Sequence, residues 1–151
     1  MIFVIILAQA IVQTSEIQGY LASKGVNIQV QGVHLGSRQL GSQEAYFLSL
    51  KTALLGKRKN TIVLVDPFMQ GNSEYMLGYT SRDFSMCVWN LANEKGQDRK
   101  AQSLACIAHE LGHQKGLKHT TGCTTLMDEA VLACPNVAAL GFTKEQLKSF
   151  S

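Results

Sequence analysis

Short apolar runs alternate along this chain with stretches where apolar residues return every three or four positions. Ile2–Leu7 is a continuous apolar run of strand length and predicts a buried strand. Thr14–Lys24 carries Ile17, Tyr20 and Leu21 at helical spacing and stops at Gly25. Ile28–Val33 alternates Ile28 and Val30 with Gln29 and Gln31, as a half-buried strand does. Ser42 is placed to cap a helix running to Leu55, with Ala45, Leu48, Thr52 and Leu55 on one face and Gly56 ending it. Thr61–Val65 reads as another buried strand closed by Asp66-Pro67. Two short strands are expected around Tyr75–Tyr79 and Phe84–Trp89, then a long helix from about Asp98 to Gln114. Thr143 and Gln146 form a capping box that opens a last helix. Strands alternating with helices, then two strands in quick succession, predict an α/β (α+β) fold whose sheet is mostly parallel with one antiparallel strand. The first 116 residues supply this layer. The 35 that follow are too few for a domain of their own and must pack beneath it, so one domain over 1–151 is expected.

Composition narrows the partners more than the chemistry. Apolar residues make up 46% and charged residues 17% of the chain, which suits a folded globular protein. Fourteen basic against eleven acidic residues leave a net charge of +3, too weak to argue for nucleic acid, and Lys57-Arg58-Lys59 is too short to be a binding stripe. The first ten residues are apolar and end in Ala-x-Ala, but they carry no basic start, so a first strand is favoured over a signal peptide. They are far shorter than the roughly 20 apolar residues that cross a bilayer, so no membrane anchoring is expected there. A cytoplasmic monomer is the expectation. None of the four cysteines forms a C-x-x-C pair. Free buried thiols are slightly favoured, with a Cys123–Cys134 disulfide as the open alternative.

The chemistry concentrates in His109-Glu110-Leu111-Gly112-His113-Gln114-Lys115-Gly116-Leu117-Lys118-His119. Histidines four apart on a helix lie one turn above each other, so both imidazoles can reach one ion. A third ligand cannot stay on the helix and face the same point; Gly116 permits the break that returns His119 to it. Three nitrogen ligands with one open position are what catalytic zinc requires. Zinc lowers the pKa of bound water towards about 7, so Glu110, next to the first ligand, can take its proton and pass it to a leaving amine. Histidines merely facing solvent on an amphipathic helix are the plain alternative, and the addition of Gly116 and His119 argues against it. Cys106 would close the open position if it were a fourth ligand, so core packing is expected for it. His34 and Trp89 are read as ordinary strand residues.

His109–His119 resembles the extended zinc signature of the metzincin clan of metallopeptidases. Thr125-Leu126-Met127 is similar to the clan's methionine turn, with Met127 eight residues after His119. Asp66-Pro67-Phe68 with Gly71, then Tyr75–Tyr79, resembles the segment that leads into the cleft edge of archaemetzincins. The resemblance implies a zincin with a twisted mixed sheet, an antiparallel edge strand, an active-site helix, and a small lower subdomain (117–151) under an upper one (1–116). It implies a zinc metalloendopeptidase or peptidase acting on peptide or protein substrates, with an extended substrate adding to Leu77, Gly78 and Tyr79 and its pocket lined by Asp128–Pro135. Archaemetzincins hold a second zinc on cysteines; Thr120 and Thr125 stand at two of those positions and no C-x-x-C follows, so one Zn2+ is expected. A non-catalytic zinc-stabilised peptide-binding module, or a zinc hydrolase of a non-peptide amide, are the alternatives.

Overall fold

In a computed structural model, residues 2–7, 13–34, 61–65, 69–70, 74–75, 78–80, 84–88 and 99–151 are described. The apolar run Ile2–Leu7 forms β1, an inner strand of a five-stranded sheet. Every second side chain on it (Ile2, Val4, Ile6) is buried in the same core as Ile62 and Leu64 of β3 (Thr61–Val65). Burying one such side chain contributes about 1.5–3 kcal/mol, enough to select this register over a one-residue slip. β2 (Val30–His34) lies outside β1, and β7 (Phe84–Val88) lies beyond β3. All four run parallel, and β6 (Gly78–Thr80) closes the far edge antiparallel to β7. The order is β2-β1-β3-β7-β6.

Two boundaries differ from the sequence pattern. The second strand starts at Val30 rather than Ile28 because Val30 N–H, at its first residue, is taken by the Gln18 side chain at 2.8 Å, and pairing with β1 begins there. The strand expected over Tyr75–Tyr79 is two strands in two sheets. Glu74–Tyr75 (β5) pairs with Met69–Gln70 (β4) as a separate ribbon, and only Gly78 onward joins the main sheet. The helix expected over Ser42–Leu55 lies outside the described residues, as do Asp66–Phe68, Leu77 and Trp89.

Helix α1 (Thr14–Ser23) buries Ile17 and Leu21. Helix α2 (Arg99–Gln114) packs across β7 and β6, and Lys100 pairs with Glu16 of α1. The spacing of Ala101, Leu104, Ala105, Ala108 and Leu111 predicts one buried stripe, yet every residue from Ser103 to Leu111 is buried. The face opposite the sheet is covered by the C-terminal segment: Leu126, Val131, Cys134, Val137 and Leu140 belong to the same core. Gln102 ties the two together, its Nε2 donating to the Leu132 carbonyl at 2.8 Å.

That segment holds little regular structure: three single 3-10 turns (Val131–Ala133, Val137–Ala139, Lys148–Phe150) and the one-turn helix α3 (Lys144–Leu147). Local polar bonds do the holding instead. Thr143 caps α3 as its spacing predicts: its Oγ1 accepts from Gln146 N–H at 3.1 Å while Gln146 Oε1 accepts from Thr143 N–H at 2.9 Å. Cys123 and Cys134 are joined in a disulfide, which corrects the preference for free thiols at those two positions. Cys87 and Cys106 are free and buried, with their sulfurs 3.0 Å apart. Burial, then the Cys106 contact, pushes the Cys87 thiol up, so it stays protonated. No helix among the described residues is long and apolar enough to cross a membrane.

Candidate metal centre

The three histidines singled out by spacing meet at one point. His113 Nε2 lies 3.1 Å from His109 Nε2 and 3.0 Å from His119 Nε2. Helix α2 supplies the first pair. Its end is Gly116 at φ +86°, a left-handed conformation that a side chain would strain, and from there the chain doubles back to carry His119. Leu117 N–H closes this reversal on the Gly112 carbonyl at 2.9 Å.

Hydrogen bonding decides what these nitrogens can be. His109 Nδ1–H donates to the Leu126 carbonyl at 2.7 Å, and His113 Nδ1–H donates to the Leu117 carbonyl at 2.9 Å. Both rings are thereby set with Nε2 as the lone-pair atom. Burial, the largest cause, pushes the His109 imidazole down to about 4, so at neutral pH it carries no charge of its own. Two bare lone pairs aimed at each other across 3.1 Å repel, and a shared cation relieves that repulsion. Ligands of tetrahedral zinc at 2.0–2.1 Å lie ~3.3 Å apart, close to the observed separations. The donor set therefore fits a zinc ion. His109 is 7% exposed, whereas His119 stands at the surface, so the cluster opens to solvent on the His119 side. That asymmetry suits a site that must admit a water and a substrate.

Glu110 follows His109 on the helix and is 7% exposed. Met127, fully buried, sits against Gly112 of the same helix. A Cβ on Gly112 would come within 2.4 Å of its sulfur and 3.1 Å of its methyl carbon. Gly112 is thus glycine because Met127 occupies the space a side chain would need. Alanine is the better helix former by about 1 kcal/mol, but overpacking costs about 1–3 kcal/mol. Gly112→Ala should therefore leave the protein less stable by up to about 2 kcal/mol, read by thermal unfolding. A gain in stability, as at an ordinary helix glycine, would show that Met127 does not fill that space.

Gly78 and Tyr79 lie on the edge strand β6, which α2 crosses; Leu77 falls outside the described residues. Asp128 does not line a pocket as expected. It is 2% exposed, with Oδ2 accepting from Cys123 N–H at 2.7 Å and Oδ1 from Ala130 N–H at 2.8 Å. Val131 is buried too, while Glu129 is exposed. Cys123, Cys134 and Asp128 also cluster, but the disulfide takes both thiols.

Several positioning groups escaped the sequence. The Leu126 and Leu117 carbonyls that orient the imidazoles are main-chain atoms and leave no residue signature. Gln114, directly after His113, donates to the Thr61 carbonyl at 3.0 Å and to Ser85 Oγ at 2.8 Å, pinning the helix end to the sheet.

No family model matches the chain, and no curated protein matches it in sequence. Solved structures match its fold over nearly its whole length. An archaemetzincin from Methanopyrus kandleri superposes with a TM-score of 0.65 at 15% identity, over 99% of this chain and 93% of the other. A zinc-dependent peptidase from Methanocorpusculum labreanum reaches 0.70 at 13% identity, over all of both chains. An archaemetzincin from Archaeoglobus fulgidus reaches 0.57 at 15% identity, over 98% and 99%. The mixed helix-and-strand fold is therefore that of archaemetzincin-like metallopeptidases.

Proposed function

We propose that this chain is a zinc-dependent metallopeptidase of the metzincin type, built as one catalytic domain with an upper part over 1–116 and a lower part over 117–151. The observation that carries the reading is that His113 Nε2 lies within 3.0–3.1 Å of the Nε2 atoms of both His109 and His119, with buried Glu110 next to His109 in the chain, in a fold shared with a zinc-dependent peptidase. His109, His113 and His119 would hold one Zn2+. That ion, when bound, would acidify a water and polarise the scissile carbonyl.

The protein's own groups do the rest. Glu110 takes a proton from the attacking water and returns it to the leaving amine nitrogen. The Leu126 and Leu117 carbonyls keep two imidazoles from rotating away from their shared point. Thr125–Met127 serves as the methionine turn, its buried side chain filling the space under Gly112. An extended peptide would lie along β6, with Gly78 and Tyr79 offering main-chain hydrogen bonds on the side where no strand pairs among the described residues.

The test joins metal analysis to digestion of a peptide library by the purified full chain. One zinc per chain is expected, with cleavage that stops when a chelator removes it and returns when zinc is restored. Zinc without cleavage of any peptide would leave only a binding module. Carefully purified protein without zinc would overturn the reading.

A further inference from the structure

His109 and His113 each have an Nδ1–H locked on a main-chain carbonyl. His119 has no such bond among the described residues, and it is the exposed member of the three. Something else must hold its ring in place. The chain leaving it is stitched to the Met127 loop: Thr120 N–H donates to the Met127 carbonyl at 2.9 Å, Glu129 N–H donates to the Thr120 carbonyl at 3.0 Å, and Thr120 bridges Asp128 in parallel.

Side chains repeat the stitch. Thr120 Oγ1 and Thr125 Oγ1 are 2.8 Å apart, and Thr125 is 6% exposed. Thr125 Oγ1 also accepts from Met127 N–H at 3.0 Å and from Gln146 Nε2 at 3.5 Å. A hydroxyl has one proton and two lone pairs. With both lone pairs engaged, the Thr125 proton goes to Thr120 Oγ1. Gln146 in turn is held by the Thr143 capping box, so the chain of bonds runs from the C-terminal helix to the residue after His119.

We propose that the Thr120–Thr125 hydroxyl pair, anchored by Gln146, is the positioning device for His119, replacing the ring-nitrogen bond that the other two histidines have. This rests on the zinc reading above. The residues act through His119 and touch no substrate, so metal affinity is the quantity they should move. Groups that orient metal ligands typically contribute about tenfold to a hundredfold in affinity.

The experiment is a zinc dissociation constant by chelator competition, with the absorption bands of the Co2+-substituted protein, for the full chain and its Thr120→Val, Thr125→Val, Thr125→Ser and double-valine variants. Either valine should weaken zinc about tenfold or more and shift the Co2+ bands. The double variant should lose little beyond the worse single one, because one bond is broken once. Thr125→Ser keeps the hydroxyl and should stay within about threefold of wild type. Thr120→Val, at the half-buried partner, keeps the test open should Thr125→Val not fold. Wild-type affinity in a folded valine variant, or losses that add in full, would overturn the pair as the device. A wild-type protein that binds no zinc would instead remove the metal reading, and this inference with it.

Discussion

Glu110→Gln should bind zinc like the wild type and cleave peptides on the order of 10²–10⁴-fold more slowly. The substitution keeps the size and one hydrogen-bonding oxygen but cannot take a proton. The glutamate is not among the nitrogens that converge, so the cluster of His109, His113 and His119 loses no donor. A loss of this size corresponds to about 3–5 kcal/mol of barrier, well above what a shift in packing near the site would bring. Zinc content, kcat/KM on a cleaved library peptide and thermal unfolding, measured on one preparation, separate lost chemistry from lost fold. Undiminished cleavage by the variant would remove Glu110 from the mechanism. Loss of zinc together with activity would make it part of the metal's environment instead.

Asp128→Ala should destabilise the protein by about 3 kcal/mol and Asp128→Asn by about 2 kcal/mol. The carboxylate is 2% exposed and accepts one main-chain N–H on each oxygen. Alanine leaves both donors without an acceptor, and a stranded donor costs about 1–3 kcal/mol. Asparagine is the more telling case. Its shape is the same, but one of its two terminal atoms is now a donor facing a donor, so one bond is kept and one becomes a repulsion. The consequence reaches the histidine cluster, because Asp128 bridges Thr120, the residue after His119. Urea unfolding should show the midpoint falling by about 1 M for asparagine. An asparagine variant as stable as wild type would mean that the carboxylate is not what holds this loop.

The loop also marks where sequence reasoning stopped. His109, Glu110, His113, Gly116 and His119 are legible because a helix repeats every 3.6 residues and a glycine can end it. That local geometry holds in any fold. Ile2–Leu7, Thr14–Ser23, Thr61–Val65 and Phe84–Val88 are legible for the same reason: the pattern of apolar positions is set by the element itself. The capping box at Thr143 likewise spans only four residues and forms as its spacing predicts.

What needed the tertiary structure is whatever depends on contacts between distant segments. Tyr75 and Tyr79 look like one strand, but hydrogen-bonding partners decide membership, and theirs are in different sheets. The spacing sets the histidines on a stripe of α2 apart from its apolar face, but it does not show what packs there: the segment from Leu126 to Leu140 does, and its Leu126 carbonyl takes His109 Nδ1–H. Asp128 reads as a polar pocket wall until its oxygens are seen to turn inward onto main-chain N–H groups. Cys123 and Cys134 pair because the turn around Asp128 brings them together, which spacing alone left open. By itself, the sequence determined which three histidines come together and the helix that carries the first two, since both follow from short-range periodicity and a glycine break. Only the tertiary structure decided how His109 and His113 are oriented, because the Leu126 and Leu117 carbonyls that hold them are main-chain atoms placed by long-range packing that no residue pattern encodes.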